Sequence, residues 1–255
     1  MPTMDHGLPE PVVAKLGPLG RYELRAALFG LAVVLVGIPF GLLLEQVTRH
    51  GPLTKLDESA ARAFNSFVYG KGALITTLEL ISDIGKPIFL FFSIGIPAVW
   101  IFLHGGRKLA LFLAVTCIGG GMVDSVVKIA VARPRPTVDH PILSPFGKSF
   151  PSGHSMQAVV CYGALLLAFL PILSKRARAI AVGAWVFTLL AIGVSRLALG
   201  VHYISDVLGG WVLGAAWLAA SVAAWEIWRD DRGKRPTHPT EEGVEPEEAK
   251  DLTHA

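Results

Sequence analysis

Charged residues are scarce in this chain of 255 residues, in which Asp, Glu, Lys and Arg together make up 17%. A typical soluble domain carries about 25%. Hydrophobic residues account for 52% of the sequence, and several apolar stretches approach the roughly 20 residues with which a helix crosses a bilayer. The shortage of charge therefore excludes an ordinary soluble domain and predicts an all-α, polytopic membrane protein.

Cysteine is equally scarce, because the chain has only Cys117 and Cys161, each inside an apolar stretch. Such residues are typical of buried packing and indicate neither a disulfide nor a metal site. A cleavable signal peptide is not indicated either, since residues 1–23 mix five charged residues with four prolines. The first apolar stretch follows directly and is long enough to stay in the membrane as an anchor.

The apolar stretches predict six transmembrane helices in one membrane domain over residues 25–228. Their expected ranges are 25–44, 87–103, 109–131, 153–173, 178–198 and 203–225. An N-terminal arm, residues 1–24, precedes the domain. A tail, residues 229–255, follows it, and five Glu and three Pro in its last twenty residues predict disorder.

The connection between the first and second spans has a periodicity of its own. Apolar residues recur at helical spacing beside charged ones, at Leu53, Leu56, Ala60, Ala63 and Phe67. This pattern predicts an amphipathic helical segment that lies in the membrane interface.

Lysine and arginine are distributed unequally over the two sides of the predicted bundle. Outside the spans or at their ends, 13 lie on the side of both termini and 8 on the opposite side. Because basic residues favour the cytoplasmic side, both termini are predicted to be cytoplasmic. Three polar clusters at span ends then all fall on the periplasmic or extracellular side.

The first polar cluster lies at the end of the third span, where Pro134 and Pro136 restrict the residues before them to extended conformations. The span is therefore expected to end near Ala132. Lys128 lies one turn inside this end, where its ammonium meets the negative end of the helix dipole. We interpret Lys128, together with Arg135 just beyond it, as a candidate phosphate ligand.

Other interpretations of this cluster stay open. Basic residues near a span end also extend to lipid headgroups. Asp124 lies four residues before Lys128 and can form an internal ion pair with it. Arg133 offers a second Arg-Pro pair beside Arg135, so the sequence does not decide which arginine contacts a phosphate.

The second cluster, Pro151-Ser152-Gly153-His154, opens the fourth span. Backbone N–H groups at a helix start favour anions, and Gly153 lets a phosphate approach the main chain closely. Ser152 can add a hydroxyl donor, and His154 can supply a proton to a leaving oxygen near neutral pH. The alternative is a capping turn with an interfacial histidine.

The third cluster joins the last two spans. Arg196 ends the fifth span, and its guanidinium fork suits phosphate oxygens. His202 and Asp206 are four residues apart and would share one face of a helix. The carboxylate can hold one ring nitrogen as N–H and leave the other free to attack phosphorus. The alternative is a structural histidine–aspartate hydrogen bond at a helix start.

Together the clusters read Lys-x6-Arg-Pro (128–136), Pro-Ser-Gly-His (151–154) and Ser-Arg-x5-His-x3-Asp (195–206). This pattern resembles the three-part signature of the type 2 phosphatidic acid phosphatase, or lipid phosphate phosphatase, superfamily in its membrane-embedded bacterial form. The resemblance implies a six-helix membrane fold and a metal-free phosphatase that acts through a phosphohistidine.

The resemblance also implies a role for each matching residue. His202 would be the nucleophile, Asp206 its orienting carboxylate, and His154 the general acid that later activates water. The phosphoryl oxygens would be held by Lys128, Arg135, Ser152, Gly153 and Arg196.

The expected function is hydrolysis of a lipid phosphate or diphosphate on the outer face of the membrane. For a bacterial source, undecaprenyl diphosphate is the first expectation, and phosphatidate, phosphatidylglycerol phosphate and diacylglycerol diphosphate are alternatives. A lipid phosphotransferase and a non-enzymatic lipid transporter or scaffold stay open. No cofactor, metal or nucleic-acid partner is expected. The expected partners are the lipid phosphate substrate and the bilayer, and the sequence does not predict an oligomeric state.

Overall fold

The computed structural model describes residues 37–252 except positions 50 and 144, and every regular element in this part of the chain is helical. The helices, numbered in chain order, are α1 (37–48), α2 (Pro52–Val68), α3 (Gly72–Asp83), α4 (Pro87–Leu103), α5 (Arg107–Val131), α6 (Gly153–Ile172), α7 (Lys175–Ala198), α8 (Ile204–Asp231), α9 (Pro239–Glu242) and α10 (Pro246–Asp251). Helix α6 changes pitch along its length, with a π-helical turn over Ala158–Tyr162.

Four of the described helices, α5 to α8, are long and apolar enough to cross a membrane. Helices α3 and α4 pass the same test together but are bent by 44° at their junction, and they add a fifth span if they act as one. The last four predicted spans coincide with α5 to α8 within a few residues, and the second coincides with α4. The first, 25–44, lies mostly outside the described residues, so six spans stay a prediction.

The outer surface of these helices is apolar. Large side chains are exposed along α4 and α5, among them Phe91 and Ile129, whose exposed fractions are 68% and 78%. Large contiguous apolar patches are rare on monomeric soluble proteins, whereas a bilayer core requires apolar side chains at the lipid-facing surface. The exposure pattern agrees with the membrane-embedded, all-α fold that the composition predicts.

Helix α2 buries two polar residues against the rest of the protein. Its buried positions recur at helical spacing and are Asp57, Ala61, Asn65 and Val68. Leu56 and Phe67, from the predicted apolar stripe, are exposed instead. The predicted amphipathic segment is therefore helical, but Asp57 from its charged side lies against the bundle, whereas Glu58 and Arg62 are exposed. A carboxylate buried in this way needs partners inside the protein.

The start of α6 packs directly against α8. The backbone N–H of Ser152 donates to the carbonyl oxygen of Asp206 over 2.9 Å. A Cβ atom placed on Gly210 would lie 2.7 Å from the carbonyl oxygen of Ser152, which is closer than a side chain can approach. Glycine at this position therefore lets the two helices touch along their backbones, as small residues do between membrane helices.

The main apolar core lies between α4, α5 and α6, around Leu109 and Phe112. Cys161 belongs to this core and Cys117 packs against it. Both thiols are free. Their interpretation as packing residues is confirmed.

The tail differs from the disordered segment that the sequence predicts. Helix α8 continues to Asp231, and the short helices α9 and α10 follow. Val244, Ala249 and Leu252 are buried in the main core. An acidic composition predicts disorder because acidic residues are poor core formers. Val244, Ala249 and Leu252 nevertheless pack into a core that α4, α5 and α6 form.

Ion pairs hold the same segment in place. Arg229 and Glu245 have fully buried side chains, with Nη1 and Oε2 2.6 Å apart. The Glu248 carboxylate accepts the backbone N–H groups of Lys108 and Leu109, each over 3.0 Å, at the start of α5. The acidic residues therefore meet cations and a helix N-terminus, a pairing that composition alone does not reveal.

Replacing Glu245 by Gln is expected to destabilise the protein, because the buried Arg229 guanidinium loses its nearest counter-charge. Breaking a buried pair costs roughly 3–5 kcal/mol. Glu247, 3.2 Å from Arg229, offsets part of the loss. We expect the apparent melting temperature in detergent to fall by several degrees.

The matched control is Glu242→Gln, which removes an exposed pair with Arg235 at 3.1 Å. An exposed pair contributes roughly 0–1 kcal/mol, so this variant should melt close to the unaltered protein. Equal melting temperatures for the two variants would contradict a stabilising role for the buried pair.

Candidate active site

Lys128 lies in the last turn of α5, which ends at Ala132 with a left-handed backbone (φ 51°). The Lys128 ammonium donates to Asp124 Oδ1 over 2.5 Å and to the carbonyl oxygen of Pro151 over 2.6 Å. The predicted helix end and the internal ion pair are both confirmed. Because Pro151 precedes α6, this side chain joins the first motif to the second.

The turn that opens α6 is built around Ser152 and Gly153. Ser152 is buried, and its hydroxyl accepts a hydrogen bond from the Ser155 hydroxyl over 3.0 Å. A Cβ atom on Gly153 would lie 3.1 Å from Lys128 Nζ and 2.9 Å from Asp124 Oδ2. The missing side chain therefore lets the ammonium approach a helix start, where backbone N–H groups also favour an anion.

His154 lies in the first turn of α6. Its Nε2 atom is buried and makes no hydrogen bond to any residue that the structure describes. The α3–α4 junction covers the ring, since a Cβ atom on Gly85 would lie 3.2 Å from His154 Cδ2. A ring nitrogen in this position can exchange a proton with a group that enters the site.

His202 and Asp206 form the pair that their spacing predicts. His202 Nδ1 lies 3.3 Å from Asp206 Oδ2, and the side chains are 2% and 0% exposed. Helix α8 begins at Ile204, so His202 precedes the helix and the two residues do not share a helical face. Asp206 instead caps the helix by accepting the backbone N–H of Tyr203 over 2.9 Å. This cap brings the carboxylate to the imidazole.

Arg135 faces the other ring nitrogen of His202. Its Nη1 atom lies 3.3 Å from His202 Nε2 and donates to the carbonyl oxygen of Val201 over 2.9 Å. A guanidinium can only donate hydrogen bonds, and a carboxylate can only accept them. The geometry therefore assigns the proton of neutral His202 to Nδ1 and leaves an unprotonated lone pair on Nε2, which faces Arg135.

Arg133 is turned to the opposite side of Asp206. Its Nη1 atom donates to Asp206 Oδ1 over 2.6 Å and to Ser205 Oγ over 2.8 Å, and Nη2 donates to Asp57 Oδ2 over 2.9 Å. The geometry thus separates the two arginines that the sequence leaves equivalent. Arg135 lies against the imidazole, whereas Arg133 lies between two carboxylates.

Arg196 ends α7 with a buried side chain. Its Nη1 atom donates to Ser82 Oγ over 2.6 Å, and its buried Nε atom makes no hydrogen bond within the described part of the chain. The guanidinium forms one wall of a cavity of about 240 Å³. The other lining residues of this cavity are Glu79, Ser82, Asp83, Lys86 and Leu143.

The surroundings of His202 favour the neutral imidazole. Burial lowers the pKa of His202 from 6.5 to about 4, and the cations of Arg196 and Arg135 act in the same direction. The contact with Asp206 opposes this shift. At neutral pH the Nε2 lone pair is therefore available for attack on an electrophile.

The sequence did not single out Asp57 and Ser82, each 1% exposed. Both lie in helices expected only at the membrane interface, and neither belongs to one of the three motifs. The available signal for Asp57 was the series of Asp57, Ala61 and Asn65, which repeats every four residues beside the apolar stripe. A series of this kind marks a second helix face that can also be buried.

Comparisons with known proteins all indicate one family. The PAP2 superfamily matches residues 109–230. Phosphatidylglycerophosphatase B of Bacillus subtilis (strain 168) is 30% identical over 178 residues, which cover 69% of this chain and 86% of that protein. Undecaprenyl-diphosphatase BcrC of the same strain is 34% identical over 121 residues, which cover 46% of this chain and 58% of that protein.

A solved structure supports the same family assignment. The crystal structure of a transmembrane PAP2 type phosphatidylglycerolphosphate phosphatase from Bacillus subtilis matches with a TM-score of 0.68 at 27% identity, covering 79% of this chain and 97% of the other. The PAP2 match also contains all three motifs, from Lys128 to Asp206. The chain therefore belongs to the PAP2 superfamily, as a phosphatase of the bacterial membrane type.

Proposed function

We propose that this phosphatase removes the terminal phosphate of a membrane lipid through a covalent phosphohistidine on His202. One observation carries the proposal. His202 is buried between Asp206 on Nδ1 and Arg135 on Nε2, each 3.3 Å away. Such an imidazole has its lone pair next to a cation that can bind a phosphoryl oxygen.

In the first step, the Nε2 lone pair of His202 attacks phosphorus. The N–P bond forms, the bond from phosphorus to the lipid oxygen breaks, and protonated His154 gives its proton to that oxygen. Arg135 and Arg196 hold the phosphoryl oxygens, with Lys128 and the start of α6 beside them, and so stabilise the transition-state charge.

In the second step, water replaces the lipid. Neutral His154 takes a proton from the water, whose oxygen bonds to phosphorus while the N–P bond breaks and inorganic phosphate leaves. If a second lipid or a sugar hydroxyl attacked instead of water, the same site would catalyse phosphate transfer. Dependence of the product on an acceptor separates these two reactions.

We place phosphatidylglycerol phosphate first among the substrates, ahead of undecaprenyl diphosphate, which the sequence favours. The relative named for phosphatidylglycerophosphate aligns over 69% of this chain, against 46% for the relative named for undecaprenyl diphosphate.

We further propose that the site faces the periplasmic or extracellular side and that both termini are cytoplasmic. The asymmetry of Lys and Arg supports this orientation. So does the position of the motifs, since the end of α5, the start of α6, the end of α7 and the start of α8 meet at one end of the helices.

The first test measures phosphate release from a lipid panel by the purified protein with a chelator present throughout. We expect hydrolysis to persist in the chelator, because the cations that the mechanism needs are side chains. Among the lipids of the panel, phosphatidylglycerol phosphate should be the preferred substrate. His202→Ala should lose activity by more than about 10³-fold, since it removes the nucleophile.

The control for this variant is His104→Ala, whose ring contacts the Trp100 carbonyl at an exposed position and which should leave turnover unchanged. Full activity of His202→Ala would disprove the phosphohistidine mechanism. Lipid movement without phosphate release would favour the transporter alternative.

A second test concerns anion binding. Arg135 and Arg196 have carbonyl or hydroxyl partners rather than carboxylate partners, so their charge is available to inorganic phosphate. A hydrogen bond to a charged group contributes roughly 1.5–3 kcal/mol, so Arg135→Gln and Arg196→Gln should each weaken phosphate binding about tenfold to a hundredfold, measured by calorimetry in detergent. Arg62→Gln, on the exposed side of α2, serves as the control, and equal binding by all three variants would contradict this site.

A third test concerns pH. Burial lowers the pKa of His202 to about 4, so the lone pair should persist far below pH 6.5 and disappear only as His202 becomes protonated. The acid limb of the kcat/KM profile, which reports protonation of His202, should therefore lie well below pH 6.5. Because a phosphate monoester itself titrates near pH 6, His202 is also titrated directly by NMR on isotope-labelled histidine. A midpoint at or above 6.5 would disprove the neutral, buried nucleophile.

A further inference from the structure

Three buried charges lie in a row behind the proposed nucleophile. The side chains of Asp57, Arg133 and Asp206 are 0%, 7% and 0% exposed. Arg133 lies between the carboxylates, with Nη2 2.9 Å from Asp57 Oδ2 and Nη1 2.6 Å from Asp206 Oδ1. Charges withdrawn from water in this way persist only when each is paired and hydrogen-bonded.

Both oxygens of Asp206 are occupied. Oδ1 accepts from Arg133, while Oδ2 accepts the Tyr203 backbone N–H over 2.9 Å and lies 3.3 Å from His202 Nδ1. The carboxylate cannot rotate away from the imidazole without breaking a charge-assisted hydrogen bond. Arg133, bound to Oδ1, therefore fixes the carboxylate whose other oxygen, Oδ2, faces His202.

Arg133 is itself fixed by Asp57. Asp57 Oδ1 accepts the Ser205 backbone N–H over 3.0 Å, and Oδ2 accepts from both Arg133 and the Ser205 hydroxyl. The planar guanidinium also lies 4.0 Å from the centre of the Tyr203 ring. A guanidinium can meet two carboxylates in one fixed geometry, whereas the ammonium of a lysine is a single point charge.

We propose that Arg133 and Asp57 are positioning residues of the phosphatase reaction, which hold the Asp206 carboxylate on the His202 imidazole. The proposal rests on the proposed function of His202 as the nucleophile. The donors of Arg133 are directed at Asp57, Ser205 and Asp206 rather than at the phosphate site. Asp57 lies in α2, outside residues 109–230 that match the family.

The same row of charges also adds to the field at His202. The imidazole is faced by Arg135 from the loop after α5, by Arg196 from the end of α7, by Asp206 from α8 and by His154 from the start of α6. Arg133 offsets the charge of Asp206, and Asp57 offsets the charge of Arg133. Loss of the Arg133 charge should therefore favour protonation of His202, and loss of the Asp57 charge should oppose it.

The experiment compares Arg133→Met, Arg133→Lys and Asp57→Asn in the full-length protein, with the best substrate of the lipid panel. We expect kcat to fall about tenfold to a hundredfold in each variant, as for other groups that orient a reacting side chain. KM should change by less than about twofold, because neither residue contacts the substrate.

The pH profile separates positioning from mere support of the fold. The acid limb of kcat/KM should move to higher pH in Arg133→Met, to lower pH in Asp57→Asn, and stay in place in Arg133→Lys. The double variant Asp57→Asn with Arg133→Met should be no slower than Arg133→Met alone, because Asp57 acts through Arg133.

Glu58→Gln is the matched control, since Glu58 is the next residue on α2 and its pair with Arg62, at 4.0 Å, is exposed. It should leave kcat and the pH profile unchanged. Binding of inorganic phosphate is measured for every variant, and retained binding shows that a variant has folded with its anion site intact.

The proposal would be overturned if Arg133→Lys and Asp57→Asn had the same kcat as the unaltered protein. A second result would also overturn it: Arg133→Met and Asp57→Asn bind phosphate and turn over slowly, but the acid limb of their kcat/KM profiles does not move. A purely structural contact predicts that result. Failure of the proposed function looks different, since His202→Ala would then retain activity. Activity that needs His202 but is indifferent to Asp57 and Arg133 refutes only the positioning proposal.

Discussion

A cation that is buried needs a partner, and in this protein the partners lie on other helices. Lys128 joins α5 to the start of α6 through Pro151, Arg133 joins the segment after α5 to α2 and α8, and Arg196 joins α7 to α3 through Ser82. Charge-assisted hydrogen bonds are about twice as strong as neutral ones and are more directional. The contacts that pack the ends of the helices therefore also assemble the site.

The chemistry of each partner divides these cations into two groups. Lys128 and Arg133 face carboxylates, so most of their charge is offset within the protein. Arg135 and Arg196 face carbonyl and hydroxyl oxygens, which are dipoles and leave the net charge in place. In the described part of the site, Arg135 and Arg196 are thus the arginines without a hydrogen-bonded carboxylate, and Arg135 lies against the Nε2 atom of His202.

Sequence patterns were sufficient wherever a local rule decides the outcome. Proline at 134 and 136 predicted the end of α5, and the spacing of Asp124 and Lys128 predicted their ion pair. The sequence left Arg133 and Arg135 equivalent, and only the structure shows that Arg135 lies against His202. The burial of Asp57 could not be predicted in this way, because helical periodicity shows two faces of α2 and not which neighbour each face meets. The packing of the tail could not be predicted for the same reason, since the partners of Glu245 and Glu248 lie on other segments.

The backbone contact between α6 and α8 has a consequence for how such enzymes diverge. The Ser152 N–H bond to the Asp206 carbonyl, together with the close approach at Gly210, makes one rigid joint from the two turns that present both imidazoles. The cavity beside Arg196, in contrast, is lined mostly from the end of α3 and the junction before α4. Substitutions in α3 and at the α3–α4 junction can therefore reshape this cavity and leave the backbone contact between α6 and α8 unaltered.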